Sequence, residues 1–216
     1  LGGLEGGMWD GQTVSLIGGG PSLKSFDFSK IPESHKVIVL NAAFKFVPDA
    51  DLFFTEDVRF LERFGEPLHQ TFTGIKVWHC LKGIKKEKGL AHCPSLTVIE
   101  EKRDDKYWAT DLKALSFSSN SAVGAINLAE ILGASCLFLL GIDCRSDGPA
   151  MSNFHELYPA DWAVNSINAY NFKSDFENWV FPQCKIPAIY NVINPEFESE
   201  LKCWPKITQE RYLHEA

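Results

Sequence analysis

The sequence lacks any apolar run long enough to cross a bilayer. Its richest stretch, residues 136–142 (CLFLLGI), is about a third of the roughly 20 residues that a spanning helix needs. No membrane span is expected. Cations are also scarce: 21 Lys and Arg stand against 28 Asp and Glu, for a net charge of −7. That balance opposes general nucleic-acid binding, which neutralises phosphates with clustered cations, although a local basic pocket stays open. Cysteine is too sparse for a disulfide framework, with six residues irregularly spaced at 80, 93, 136, 144, 184 and 203. Reduced thiols and a cytoplasmic setting are the expectation. Neither C-x-x-C nor H-x-x-x-H occurs, so the two His-Cys pairs, His79-Cys80 and His92-Cys93, are not taken as a metal site. Internal repeats and low-complexity tracts are absent as well.

What is present is ordinary for a globular chain: 45% hydrophobic and 23% charged residues over 216 positions. Five glycines among the first eleven residues suggest a flexible N-terminal arm over 1–12. One nucleotide-binding domain is expected over 13–207, followed by a C-terminal tail over 208–216. Short apolar, β-branched runs at 13–17 (TVSLI), 36–40 (KVIVL), 51–54, 75–79, 96–99, 136–140 and 186–192 read as strands buried on both faces. Between them, residues 121–132 (SAVGAINLAEIL) carry helical spacing and end at Gly133, while 58–64 and 161–179 are further helix candidates. The alternation predicts an α/β fold, a Rossmann-like three-layer sandwich with a mainly parallel sheet.

The chemistry gathers at the C-terminal ends of these strands, the rim where open α/β sheets bind ligands. Gly18-Gly19-Gly20-Pro21-Ser22 follows the first strand. Residues without Cβ let backbone N–H groups approach an anionic oxygen, and the plainer alternative is a tight turn with positive φ. Leu23 occupies the third glycine slot of G-x-G-x-x-G and no Gly-Lys-Ser/Thr follows, which disfavours NAD and P-loop readings. Asn41 can read a base or ribose by donating and accepting at once. Asp57 is either a ligand or the cap of the helix at 58–64, and Glu56 is expected at the surface. Ser118-Ser119-Asn120-Ser121 opens the clearest helix, where free N–H groups and the helix dipole favour an anion. Asp143 follows the strand at 136–140 and suits a substrate hydroxyl or an Asx-turn. His155 is a candidate general base or a surface histidine. Arg145 could meet a phosphate or a salt-bridge partner, and the basic cluster Lys82, Lys85, Lys86 and Lys88 reads as a solvated loop.

Together, SLIGGGPSL (15–23), Asn41, PDADLFFTED (48–57) and SSNSAVGAINLAEILGASCLFLLGID (118–143) resemble the bacterial sialyltransferase and motility-accessory-factor-like superfamily, with its archaeal 6-hydroxymethylpterin pyrophosphokinase-like relatives. YNVINPE (190–196) and CWPKI (203–207) look most like its prophage-encoded branch. The resemblance implies a nucleotide-dependent group transferase, foremost a glycosyltransferase using a nucleotide-sugar donor, possibly CMP-linked, with no cofactor required. By matched motif, Gly18, Gly19, Gly20, Pro21 and Ser22 would line the nucleotide phosphate, Asn41 would contact the nucleotide and Ser121 would shape the donor site, with Asp57, Ser119 and Asn120 as further nucleotide-binding candidates. Asp143 would shape the donor site, His155 would act as base, and Tyr158, or by position Tyr170, would stabilise the leaving phosphate. Two other functions are compatible with the same resemblance. One is pyrophosphate transfer with Mg²⁺ between Asp57 and Asp143; the other is a non-catalytic nucleotide-binding or phage-related assembly role. The acceptor and oligomeric state are not specified by these motifs.

Overall fold

A computed structural model of the chain describes residues 2–101, 107–118, 120–145, 153–158, 162, 166–197 and 199–215. The apolar runs form strands β1 (Thr13–Ile17), β2 (Lys36–Leu40), β3 (Leu52–Thr55), β4 (Ile75–Cys80), β5 (Thr97–Glu100), β6 (Cys136–Leu140), β7 (Ala188–Ile193) and β8 (Lys206–Thr208). They make one sheet, parallel throughout, in the order β5-β4-β3-β2-β1-β6-β7-β8. The strands are mostly apolar because alternate residues face two different cores. Val14, Leu16, Ile38, Leu40, Leu137 and Leu139 point to one; Ile17, Val37, Val39, Phe138 and Leu140 point to the other.

Helix α3 (Ser121–Ile131) covers the first face, and α1 (Val58–Thr71), with the 3₁₀ turn Asn41–Lys45 and α6 (Gln209–Glu215), covers the second. Further helices are α2 (Lys86–Leu90) and α4 (Ser166–Asp175), which passes through a π-helical turn, Phe176–Val180, into α5 (Phe181–Gln183). This is a Rossmann-like three-layer α/β sandwich. Helix α3 is buried along most of its length, Asn127 included, rather than on one face. Asn127 is affordable there because its Oδ1 accepts from Ser116 N–H at 2.9 Å and its Nδ2 donates to the Ala109 carbonyl at 2.9 Å.

Both chain ends differ from the sequence expectation. In the arm, Leu4 and Trp9 are buried, and Gly7, Trp9 and Gly11 N–H groups donate to the carbonyls of Ile131, Leu132 and Gly133. Gly3, Gly7 and Gly11 have positive φ, so these glycines bend the segment back against the end of α3 instead of loosening it. The tail likewise folds: Tyr212 of α6 is fully buried, 2.8 Å from the Ser15 hydroxyl. All six cysteines are unpaired, and among the described residues no helix is long and apolar enough to cross a membrane.

Candidate functional site

The strand order reverses between β1 and β6: the chain moves outward from β1 to β5, then α3 carries it back to place β6 on the other side of β1. Neighbouring loops diverge at such a point and leave a crevice. Here a cavity of about 710 Å³ opens at the C-terminal strand ends. Gly18, Gly19 and Gly20 line it from one side and Asn120 and Ser121 from another, with Asn41, Asp57, Asp143 and Tyr158 between them. The glycine bend and the start of α3 therefore share one crevice. Ser119 lies outside the described residues.

The glycine loop is needed for close approach, not for positive φ, since none of Gly18, Gly19 and Gly20 has one. Gly18 and Gly20 N–H groups donate to the Leu140 and Gly141 carbonyls, each at 2.8 Å, stitching β1 to β6 beyond the strand ends. A Cβ on either would stand 2.7 Å from the Gly141 oxygen. Two of the three amides expected to cradle a phosphate are thus already used. Pro21 has no N–H, and Ser22 donates its own to Asp143 Oδ2 at 2.9 Å. Gly19 keeps an N–H without a partner among the described residues.

Asp143 is buried, and its Oδ1 has no hydrogen-bond partner. Burial pushes its carboxyl up to about 6, opposed by the Ser22 hydrogen bonding and the Arg145 charge. Asn120 caps α3, accepting from Ala122 N–H at 3.1 Å through Oδ1, while its buried Nδ2 has no partner. The crevice therefore holds an unspent donor at a helix N-terminus and an unspent acceptor on Asp143. Asn41 sits in the left-handed region, with φ 49°, and its Oδ1 accepts from Thr55 Oγ1 at 2.7 Å.

Asp57 is the cap of α1. Its Oδ1 accepts from Arg59 N–H at 2.9 Å, and the Arg59 guanidinium bonds both carboxylate oxygens at 3.1 and 2.9 Å. A carboxylate so engaged is a poor ligand for Mg²⁺, and among the described residues no cluster of three or more His, Cys, Asp or Glu is arranged to hold a metal. Arg59, which also lines the cavity, was not singled out in the sequence; it supplies the cation at the mouth.

Tyr158 reaches the cavity, and its hydroxyl accepts from Ala42 N–H at 3.2 Å. Burial pushes its phenol up to about 12, so it stays protonated. His155 does not reach the cavity. Its ring is edge-on to Tyr158 at 4.7 Å and stacked on Phe46 at 5.9 Å, its Nδ1 accepts from Leu157 N–H, and its buried Nε2 has no partner. Burial also lowers its affinity for a proton. His155 is thus held by aromatic packing against Tyr158 and Phe46 and is not among the residues that line the cavity. Tyr170 is exposed on α4 and is not among the residues that line the cavity, and Arg145 stacks over Phe197 with its guanidinium carbon 5.9 Å from the ring centre.

Glu56, expected at the surface, is 6% exposed and lines the cavity. Its Oε1 accepts from fully buried His79 Nδ1 at 2.9 Å, and His79 Nε2 lies 3.3 Å from buried Glu101 Oε2, an ion pair whose angle falls short of a hydrogen bond. Burial opposes the charge on each group. Burial drives Glu56 up to about 7 despite its histidine partner, whereas for His79 the two carboxylates outweigh burial and raise it to about 9. The signal was present as a period of two: Phe54 and Glu56, Val77 and His79, Ile99 and Glu101 each place an ionisable residue two positions past a core residue, on the α3 face of adjacent strands.

No protein-family model matches the chain, and no curated protein is significantly similar to it. Among solved structures, the chain is similar to the sialyltransferase CstII from Campylobacter jejuni. With the complex described as containing cytidine-5'-monophosphate, the identity is 15%, over 91% of this chain and 87% of that one, at a TM-score of 0.50. With the complex containing the substrate analogue CMP-3FNeuAc, it is 15% over 88% and 86%, at 0.46. The likeness is one of fold: the chain has a sialyltransferase-like α/β architecture.

Proposed function

We propose that the chain is a glycosyltransferase that binds a nucleotide-activated sugar, of the cytidine monophosphate type, in the switch-point crevice and transfers the sugar to an acceptor hydroxyl. The observation that carries this reading is the convergence of the glycine bend and the α3 N-terminus on one cavity that still holds unspent polar atoms. Its volume of about 710 Å³ suits a nucleotide sugar, a ligand at the upper end of ordinary pocket sizes. Phosphate would meet Gly19 N–H, Asn120 Nδ2, the α3 dipole and Arg59; a ribose or sugar hydroxyl would meet Asp143 Oδ1 and Asn41. Tyr158, protonated at neutral pH, would donate to the departing phosphate. Cytidine is the first base to try because the solved structures of like fold are complexes with cytidine nucleotides.

The test is a thermal-shift screen of cytidine, uridine, guanosine and adenosine mono-, di- and triphosphates, with and without Mg²⁺. Cytidine monophosphate at a hundred times its Kd is expected to stabilise the fold by about 2.7 kcal/mol, a rise of several degrees in Tm. A flat response to every nucleotide overturns the reading. A shift confined to triphosphates with Mg²⁺ replaces it with pyrophosphate transfer, and binding without donor turnover leaves a non-catalytic nucleotide-binding protein.

A further inference from the structure

Among the described residues at the strand rim, Glu56 joins a cavity wall to a buried relay. Its Oε1 is held by His79, whereas its Oε2 has no partner among the described residues and belongs to a side chain that lines the crevice. His79 reaches back to Glu101, which the Tyr107 hydroxyl approaches at 3.4 Å. Adjacent β3, β4 and β5 hold the three groups in line across the sheet. Helix α3 packs against them with Gly124, where a Cβ would stand 2.5 Å from Glu56 Oε1. The first turn of α3 carries no charge, and the nearest charges on α1, Asp57 and Arg59, neutralise each other. The oxygen of this relay that belongs to the crevice wall and has no partner among the described residues is Glu56 Oε2.

We propose that Glu56 is the catalytic base of the crevice and that His79 and Glu101 are positioning residues that orient its carboxylate. The inference rests on the nucleotide-donor reading above. Glu56 Oε2 takes the proton of the acceptor hydroxyl, or of water. The acceptor oxygen bonds to the anomeric carbon, and the bond from that carbon to the phosphate oxygen breaks. Its electron pair leaves with the nucleotide monophosphate, and Glu56 later returns the proton to solvent. His79, held between carboxylates, opposes the burial that disfavours the ionised form of Glu56.

The experiment uses the full chain with CMP-sialic acid, following release of cytidine monophosphate with water as acceptor, beside the CMP-induced Tm shift. Glu56→Gln is expected to lower kcat at least about 100-fold while the Tm shift is retained. Because a base works only when ionised, the rate falls as pH drops through the Glu56 titration. Removing the cation in His79→Asn makes Glu56 harder to ionise, so this limb moves to higher pH. Removing the like charge in Glu101→Gln moves it lower. A Glu56→Gln protein with wild-type kcat, a limb unmoved in His79→Asn, or a wild-type chain that binds CMP yet releases none from the donor overturns Glu56 as base and leaves the binding reading standing. A chain that binds no nucleotide overturns both.

Discussion

At Gly20 a single methyl group would be driven against Asp143 Oδ2 and to 2.7 Å from the Gly141 oxygen. Backbone cannot yield there without breaking the β1–β6 stitch, so Gly20→Ala is expected to cost about 1–3 kcal/mol, as overpacked cores do, and to displace the Asp143 carboxylate. Chemical denaturation with and without CMP measures both effects; unchanged stability would mean the loop can relax. The sequence flagged this triplet, yet the reason lay with residues some 120 positions away in the chain. Asp143 was legible as a rim residue for the same reason that Asn41 was, since each follows a buried strand. His79 was not legible as part of a site, because its value comes from Glu56 and Glu101 on the neighbouring strands.

Among the elements, α3 carries both core and site. It is apolar enough to be buried between layers, and its first residues still face the crevice. Asn120→Ala removes the cap and is expected to cost about 1 kcal/mol of stability. It should also shrink the CMP-induced Tm shift, because the unspent Nδ2 goes with it. Loss of stability alone, with the shift intact, would restrict Asn120 to capping. Strands β1, β2 and β6 match their apolar runs residue for residue, since all but the first residue of each is buried and the run is nearly continuous. Helix α1 runs beyond the expected 58–64 to Thr71, past Gly65 and Pro67, because Leu68 and Phe72 are buried on the sheet and outweigh those punctuating residues. Strand β8, three residues at the sheet edge, is too short to show a period.

For the molecule as a whole, the two ends close the sandwich. Trp9 packs into the core under α3, and on the opposite face the Tyr212 hydroxyl and His35 Nδ1 each lie 2.8 Å from the Ser15 hydroxyl. Trp9→Ala is therefore expected to lower stability by about 3–5 kcal/mol, read as a fall in the denaturation midpoint. A truly loose arm would show no change.

By itself the sequence determined the parallel α/β layering and the rim on which ligands would meet, because buried strands write continuous apolar runs and end on polar residues. Only the tertiary structure decided which polar groups on that rim are free. Strand order brought β6 against β1, which consumed two glycine amides, and set β3, β4 and β5 side by side, which joined Glu56, His79 and Glu101. Aromatic packing set His155 against Tyr158 and Phe46. Local periodicity specifies the face a side chain takes, whereas its partners depend on which distant strands lie next to it.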